Sequence, residues 1–192
     1  MLLLGSRLKN ISVMSLQTGS EIARTAEPII DPRNLEIIAY KVFSPLLPVK
    51  QAHYLMIEDV RELSDIGMIV DSIDVLIEDG VVIRLDKLTE LGFPLIHMVV
   101  TDEKKHRLGK VIDYTIDVTS FTIQQLTVKR PLTKRLNDTE LLVHRSQIIE
   151  INNEAIVIHS KAEAPEHTLV TSPGSYVNPF RKSQTASEAK ME

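Results

Sequence analysis

The stretch Leu108-Gly-Lys-Val-Ile-Asp-Tyr-Thr-Ile-Asp117, followed after Val118-Thr-Ser120 by Phe121-Thr-Ile-Gln-Gln-Leu-Thr-Val128, decides how this chain is built. Its second half alternates apolar and polar residues, the period of a half-buried strand. The intervening Asp-Val-Thr-Ser at 117–120 suits a hairpin turn, because an Asp side chain accepts from backbone N–H groups two residues on. Gly109 marks a place where the first strand bends or approaches another backbone closely. An offset of 86 lays the same pattern on residues 18–45: Ile22 falls on Leu108, Ile30 on Ile116, Asp31 on Asp117, Leu35 on Phe121, Ile37 on Ile123, Tyr40 on Leu126, Val42 on Val128 and Pro45 on Pro131. Five of those 28 positions are identical, and the apolar positions keep register. After a slip of two residues, Val60-Arg-Glu-Leu63 matches Ile148-Ile-Glu-Ile151 and Met68–Ser72 matches Ile156–Ser160. The chain is therefore two copies of one unit, with the slip taken up in a loop.

Short apolar runs at Tyr54–Ile57, Met68–Val70, Leu141–Val143 and Ala155–Ile158 bring each copy to about five or six strands. Short strands with turn signals between them imply an all-β protein of two tandem small β-barrels, since closure hides strand edges. Between the copies, Leu85, Leu88 and Leu91 recur every three residues and Gly92 follows, which predicts one short helix that plugs a barrel end or the seam. The expected division is a first domain over residues 1–82, a linker helix over 83–92, a second domain over 93–160 and a disordered tail over 161–192, where apolar residues are too scattered to offset ordering entropy.

Composition narrows the chemistry. The 192 residues include no Cys and no Trp, and aromatics supply 4%, so Ile, Val and Leu must fill the interior. A chain without cysteine has no disulfide framework, thiolate zinc site or thiol nucleophile. No stretch approaches the ~20 apolar residues that cross a bilayer, and the start lacks the pattern of an export signal, so a cytoplasmic location is the expectation.

The quoted stretch, together with Leu141-Leu-Val-His-Arg-Ser-Gln-Ile148 and Glu154-Ala-Ile-Val-Ile158, resembles the PRC-barrel family, named for the cytoplasmic domain of the photosynthetic reaction-centre H subunit. The resemblance covers about residues 5–160 and is closest to tandem bacterial proteins of this kind. The first copy departs from it, with Ala23 where the second has Gly109, and with Glu27-Pro28 where Pro28 cannot donate to a ladder and belongs on an edge or at a bulge. The resemblance implies a non-catalytic protein-binding or assembly module; relatives occur in a ribosome-maturation factor and an archaeal cell-division protein. It brings no catalytic residues, and neither a cofactor nor a metal is expected.

The six histidines, His53, His97, His106, His144, His159 and His167, have no metal-ligand spacing, although His144 and His159 would approach each other in one strand register. Asp31 and Asp117 have a sufficient structural role at their turns. Charge points elsewhere. Residues 1–82 carry a balance of −5 and residues 83–160 a balance of +1, with basic residues grouped as Lys104, Lys105, Arg107 and Lys110 and as Lys129, Arg130, Lys134 and Arg135. These eight residues form the candidate binding patch, for RNA or a ribonucleoprotein as the alternative to a protein partner, although no aromatic residue is interleaved for base stacking. Asn178-Pro-Phe180 matches a short docking motif, and Leu169, Val170 and Tyr176 to Phe180 are the other apolar handles of the tail.

Overall fold

In chain order the described strands are β1 (Leu2–Leu4), β2 (Ser12–Ser15), β3 (Ser20–Asp31), β4 (Glu36–Phe43), β5 (His53–Met56), β6 (Glu62–Ser64), β7 (Gly67–Val70) and β8 (Leu76–Glu78), then helix α1 (Ile83–Leu91), then β9 (Val99–Asp102), β10 (Arg107–Asp117), β11 (Thr122–Lys129), β12 (Glu140–His144), β13 (Ile148–Ile151) and β14 (Ala155–Ile158). The structure is a computed structural model that describes residues 1–48, 50–131, 140–152 and 154–159. The expected tail, Lys134, Arg135 and the 178–180 motif lie outside the described residues.

The repeat is visible strand by strand. Hairpin β3–β4 matches β10–β11, β5 matches β12 with the same register on its neighbour, and the parallel pair β2–β7 matches β9–β14. Backbone exceptions repeat too: φ is positive at Asn10 and His97, at Gly19 and Lys105, and at Leu35 and Phe121. Non-glycine residues occupy that region only where surrounding structure compels it. At Leu35 and Phe121 the compulsion is the junction of the copies, where Ile37 N–H donates to the Phe121 carbonyl (2.9 Å) and Ile123 N–H donates to the Leu35 carbonyl (2.9 Å). Thr122 pairs with Glu36 there, so β4 and β11 join the two copies into a single sheet.

The predicted turns form as expected. Asp31 Oδ1 accepts from Arg33 N–H (3.1 Å) and Asp117 Oδ1 from Thr119 N–H (3.3 Å). A Cβ placed on Gly109 would overlap the Lys129 carbonyl oxygen, which is the close approach that glycine permits. Pro28 sits at a register shift in β3, so the strand runs unbroken through Glu27-Pro28.

The sheet does not close into a barrel, so two tandem barrels are not established. The ladders run β6-β7-β2-β3-β4 and β11-β10-β9-β14-β13, with β5 then β8 added beyond β4 and β12 beyond β11; none among the described residues returns from β5 to β6 or from β12 to β13. Edges are covered by other means. β1 crosses from the first copy to pair with β10, and β8 caps β5. The interior belongs to both copies: Val13, Ile37, Leu55 and Met68 share one apolar cluster with Val100, Ile123, Leu126 and Ile156.

Helix α1 forms where predicted and ends at Gly92, which is left-handed (φ 57°, ψ 40°) and donates to the carbonyls of Leu88 and Thr89. Its position differs from the expected plug. Leu85 and Leu88 are buried against Ile38, Ala39, Tyr54 and Met56, on the outer face of β4 and β5. Leu91 is 52% exposed, so the apolar stripe is narrower than the three-residue recurrence implied.

Candidate functional site

The basic residues that are described gather at one end of β9, β10 and β11. Asp102, at the end of β9, shapes the turn: its Oδ1 accepts from Lys104 N–H (2.9 Å) and His106 N–H (2.8 Å), while Lys105 adopts φ 63°. Burial pushes the Asp102 carboxyl up, but the His106 and Lys104 hydrogen bonds outweigh it and hold the group below the usual carboxylate range. The turn thus presents Lys104 and Lys105 to solvent, with exposed Arg107 and Lys110 at the start of β10. Lys110 stands directly opposite Lys129 across β10–β11, and Arg130 follows at the end of β11. Like charges opposite one another on a sheet are unfavourable, but acidic groups temper this end: Lys129 also faces Glu140 on β12, and Glu103 Oε1 lies 2.6 Å from His159 Nδ1. His106 Nδ1 is 2.9 Å from Asp102 Oδ2. His144 caps its own turn through Ser146 and is not paired with His159, whose ring is taken by Glu103.

A second feature was not legible in the sequence. A cleft of about 680 Å³ opens at the seam of the copies. One wall is the irregular middle of β3, Ala26 to Ile29, and the other is the segment that leaves α1, Phe93 to His97. Tyr40 of β4 and Tyr114 of β10 lie between them. The chain's first turn closes one end. Gly5 lies against the Tyr114 ring so tightly that a Cβ there would overlap it. Ser6 Oγ donates to Asp113 Oδ2 (2.6 Å) and Ser6 N–H to Asp113 Oδ1 (3.1 Å), which pins that turn to β10.

The electrostatics of the cleft are uneven. Lys9, Lys41, Glu27, Asp113 and His97 line its rim, so both signs of charge are present. Burial pushes the Tyr114 phenol up to about 12, with the Asp113 charge adding to the effect and the Tyr40 hydroxyl opposing it. Burial raises the Tyr40 phenol well above the ordinary range as well. Its hydroxyl faces Tyr114 but has no hydrogen-bond partner of good geometry among the described residues. Both phenols are therefore neutral at any physiological pH. They supply shape and dipoles to the cleft and no charge.

Sequence reasoning missed the cleft because its lining comes from stretches as far apart as Gly5 and Tyr114. One signal was available: β4 reads Glu36-Ile-Ile-Ala-Tyr-Lys-Val-Phe43, apolar on both faces, whereas the matching part of β11 carries Gln124, Gln125 and Thr127. A strand apolar on both faces is covered on both, which locates α1 on the first copy. Among the described residues no group of three or more His, Asp or Glu is arranged to hold a metal ion, and no helix is long and apolar enough to cross a membrane. No protein-family model and no curated protein matches the chain.

Proposed function

We propose that the chain is a protein-interaction module, non-catalytic and cytoplasmic, that holds its partner in the cleft between its two copies. The cleft carries this reading. It combines apolar and aromatic walls with a few charged groups at the rim, the make-up of a pocket that takes a partner's anchoring side chains. It is assembled from both copies, so a two-copy chain presents a surface that neither copy has alone. The PRC-barrel resemblance supports the same class of role, with each copy taken as a barrel-like unit.

The test is paired capture with the full chain from cells that make it. Ile112→Asp and Glu27→Arg, both at exposed positions lining the cleft, are expected to lose the partner while keeping the thermal transition. A partner retained by both variants refutes the cleft reading. Lys110 set opposite Lys129, beside Lys104, Lys105 and Arg107, favours one second reading, an RNA-associated or ribosome-assembly role. That reading requires an interaction that nuclease or 0.5 M salt removes and that Lys110→Ser with Lys129→Ser abolishes.

A further inference from the structure

The two copies differ at one strand position. In the first, β5 lies between two strands: Val42, Lys41 and Tyr40 of β4 face His53, Tyr54 and Leu55, whose other sides face Glu78, Ile77 and Leu76 of β8. In the second, β12 keeps the same register on β11, with Val128, Thr127 and Leu126 facing Leu141, Leu142 and Val143. The far edge of β12 carries no strand among the described residues.

The sequence of β8 does not recur at the matching distance. Residues 88 beyond Leu76-Ile77-Glu78 are Ala164-Pro165-Glu166. A proline has no N–H for a ladder, and alanine lacks the side chain that Leu76 buries at 8% exposure. Exposure differs too: Tyr54 is 6% exposed beneath both helix α1 and β8, and its counterpart Leu142, with neither neighbour among the described residues, is 57% exposed. An unpaired strand edge with an uncovered aliphatic side chain is a template for strand addition.

We propose that the edge of β12 binds an extended segment of a partner protein as an added antiparallel strand. The slot it enters is the one β8 fills in the first copy, which sets the chemistry. An aliphatic residue faces Val143 and extends the shared core as Leu76 does opposite Leu55. A second aliphatic residue faces Leu142 and covers it, and a polar residue follows opposite Leu141. No residue of β12 lines the seam cleft, so this surface and the cleft can fail independently.

The probe is a capped synthetic peptide with the sequence of residues 74–80, Asp-Val-Leu-Ile-Glu-Asp-Gly, titrated into the full chain and followed by amide NMR and hydrogen exchange. Saturable binding is expected, with the β12 amides that point away from β11 slowed at least tenfold at saturation. Leu142→Lys should weaken it at least tenfold. The same peptide with its isoleucine replaced by proline should not bind, which keeps the test decisive if the Leu142→Lys chain misfolds. The proposal is overturned by absent binding, by shifts confined to cleft residues or β5, by β12 shifts that follow chain concentration alone, which would mean a second copy, or by β12 edge amides already slowed without peptide, which would mean the chain fills its own slot.

Discussion

Truncating Ile37 or Ile123 to alanine tests whether the copies share one core. The two residues match across the repeat, are 1% and 0% exposed, and give their N–H groups to the opposite copy at the β4–β11 junction. Each substitution removes three carbons from a fully buried site, which costs about 3–4 kcal/mol with the cavity it leaves. A folded unit stable by ~5–15 kcal/mol survives either change. Native-state hydrogen exchange reads the outcome in both copies at once, because the slowest amides exchange only through global unfolding. With one shared core, Ile37→Ala lowers the protection of the slowest amides in β10 and β11 by the same ~3–4 kcal/mol as those in β3 and β4, and Ile123→Ala does the same in reverse. The double variant should deviate from additivity by at least ~0.5 kcal/mol, since both sites adjoin one junction. If Ile37→Ala loosens β3 and β4 while β10 and β11 keep their protection, the copies are independent and the reasoning fails.

Gly109→Ala should cost about 2–3 kcal/mol by urea unfolding, because the new Cβ meets the Lys129 carbonyl and the Val128 side chain; a loss under ~0.5 kcal/mol would show that β10 relaxes as β3 does around Ala23. Tyr40→Phe should leave stability unchanged or raise it by up to about 1 kcal/mol, since it removes a buried hydroxyl without a well-formed hydrogen bond; a loss above ~1 kcal/mol would reveal a partner for that hydroxyl. Arg33 hydrogen bonds hold the Asp31 carboxyl below its ordinary value, so this contribution is present above the unfolded Asp value near ~3.9 and is lost as pH falls through the lower folded value. Arg33→Ala should therefore lower stability above about pH 4 by an amount that shrinks as pH falls and vanishes below the folded value, and a loss of the same size at every pH would contradict that assignment.

How much of this was legible follows from where the information lies. Turn chemistry is local, so Asp31, Asp117, Gly109 and the Gly92 cap could be read from neighbours in sequence and are found in those roles. The repeat was legible because the strand period survives in both copies. The junction was not, since it depends on Leu35 and Phe121 taking positive φ, against the preference of both residues. β1 was equally hidden: three leucines have no period, and their partners, Thr115 to Asp117, lie more than 100 residues away. The expectation of closed barrels came from a sound rule about edges, met here in part by β1 on β10 and β8 on β5 instead. Lys104, Lys105, Arg107, Lys110, Lys129 and Arg130 fall at one end of β9, β10 and β11, but their acidic neighbours were not legible, because Glu103 meets His159 only through the β9–β14 pairing.

Two copies related by a repeat present equivalent surfaces unless sequence or added elements make them differ, and here the differences fall together. The first copy has its outer face covered by α1 and its β5 edge covered by β8. The second has a polar outer face carrying Gln124, Gln125 and Thr127, a cluster of basic residues, and a β12 edge with no strand partner among the described residues. The junction residues meanwhile keep the same geometry in both copies. That combination is a division in which the first copy is sealed on its outer face and β5 edge, while the second keeps a polar face and an open edge among the described residues. The shared core gives the division a measurable consequence: a segment added to β12 stabilises the whole unit by RT ln(1 + [L]/Kd). At one hundred times Kd that is about 2.7 kcal/mol, and it should appear equally in the slowest amides of β3, which no part of the ligand touches. Protection gained in the second copy alone would sever the link between binding and the common core.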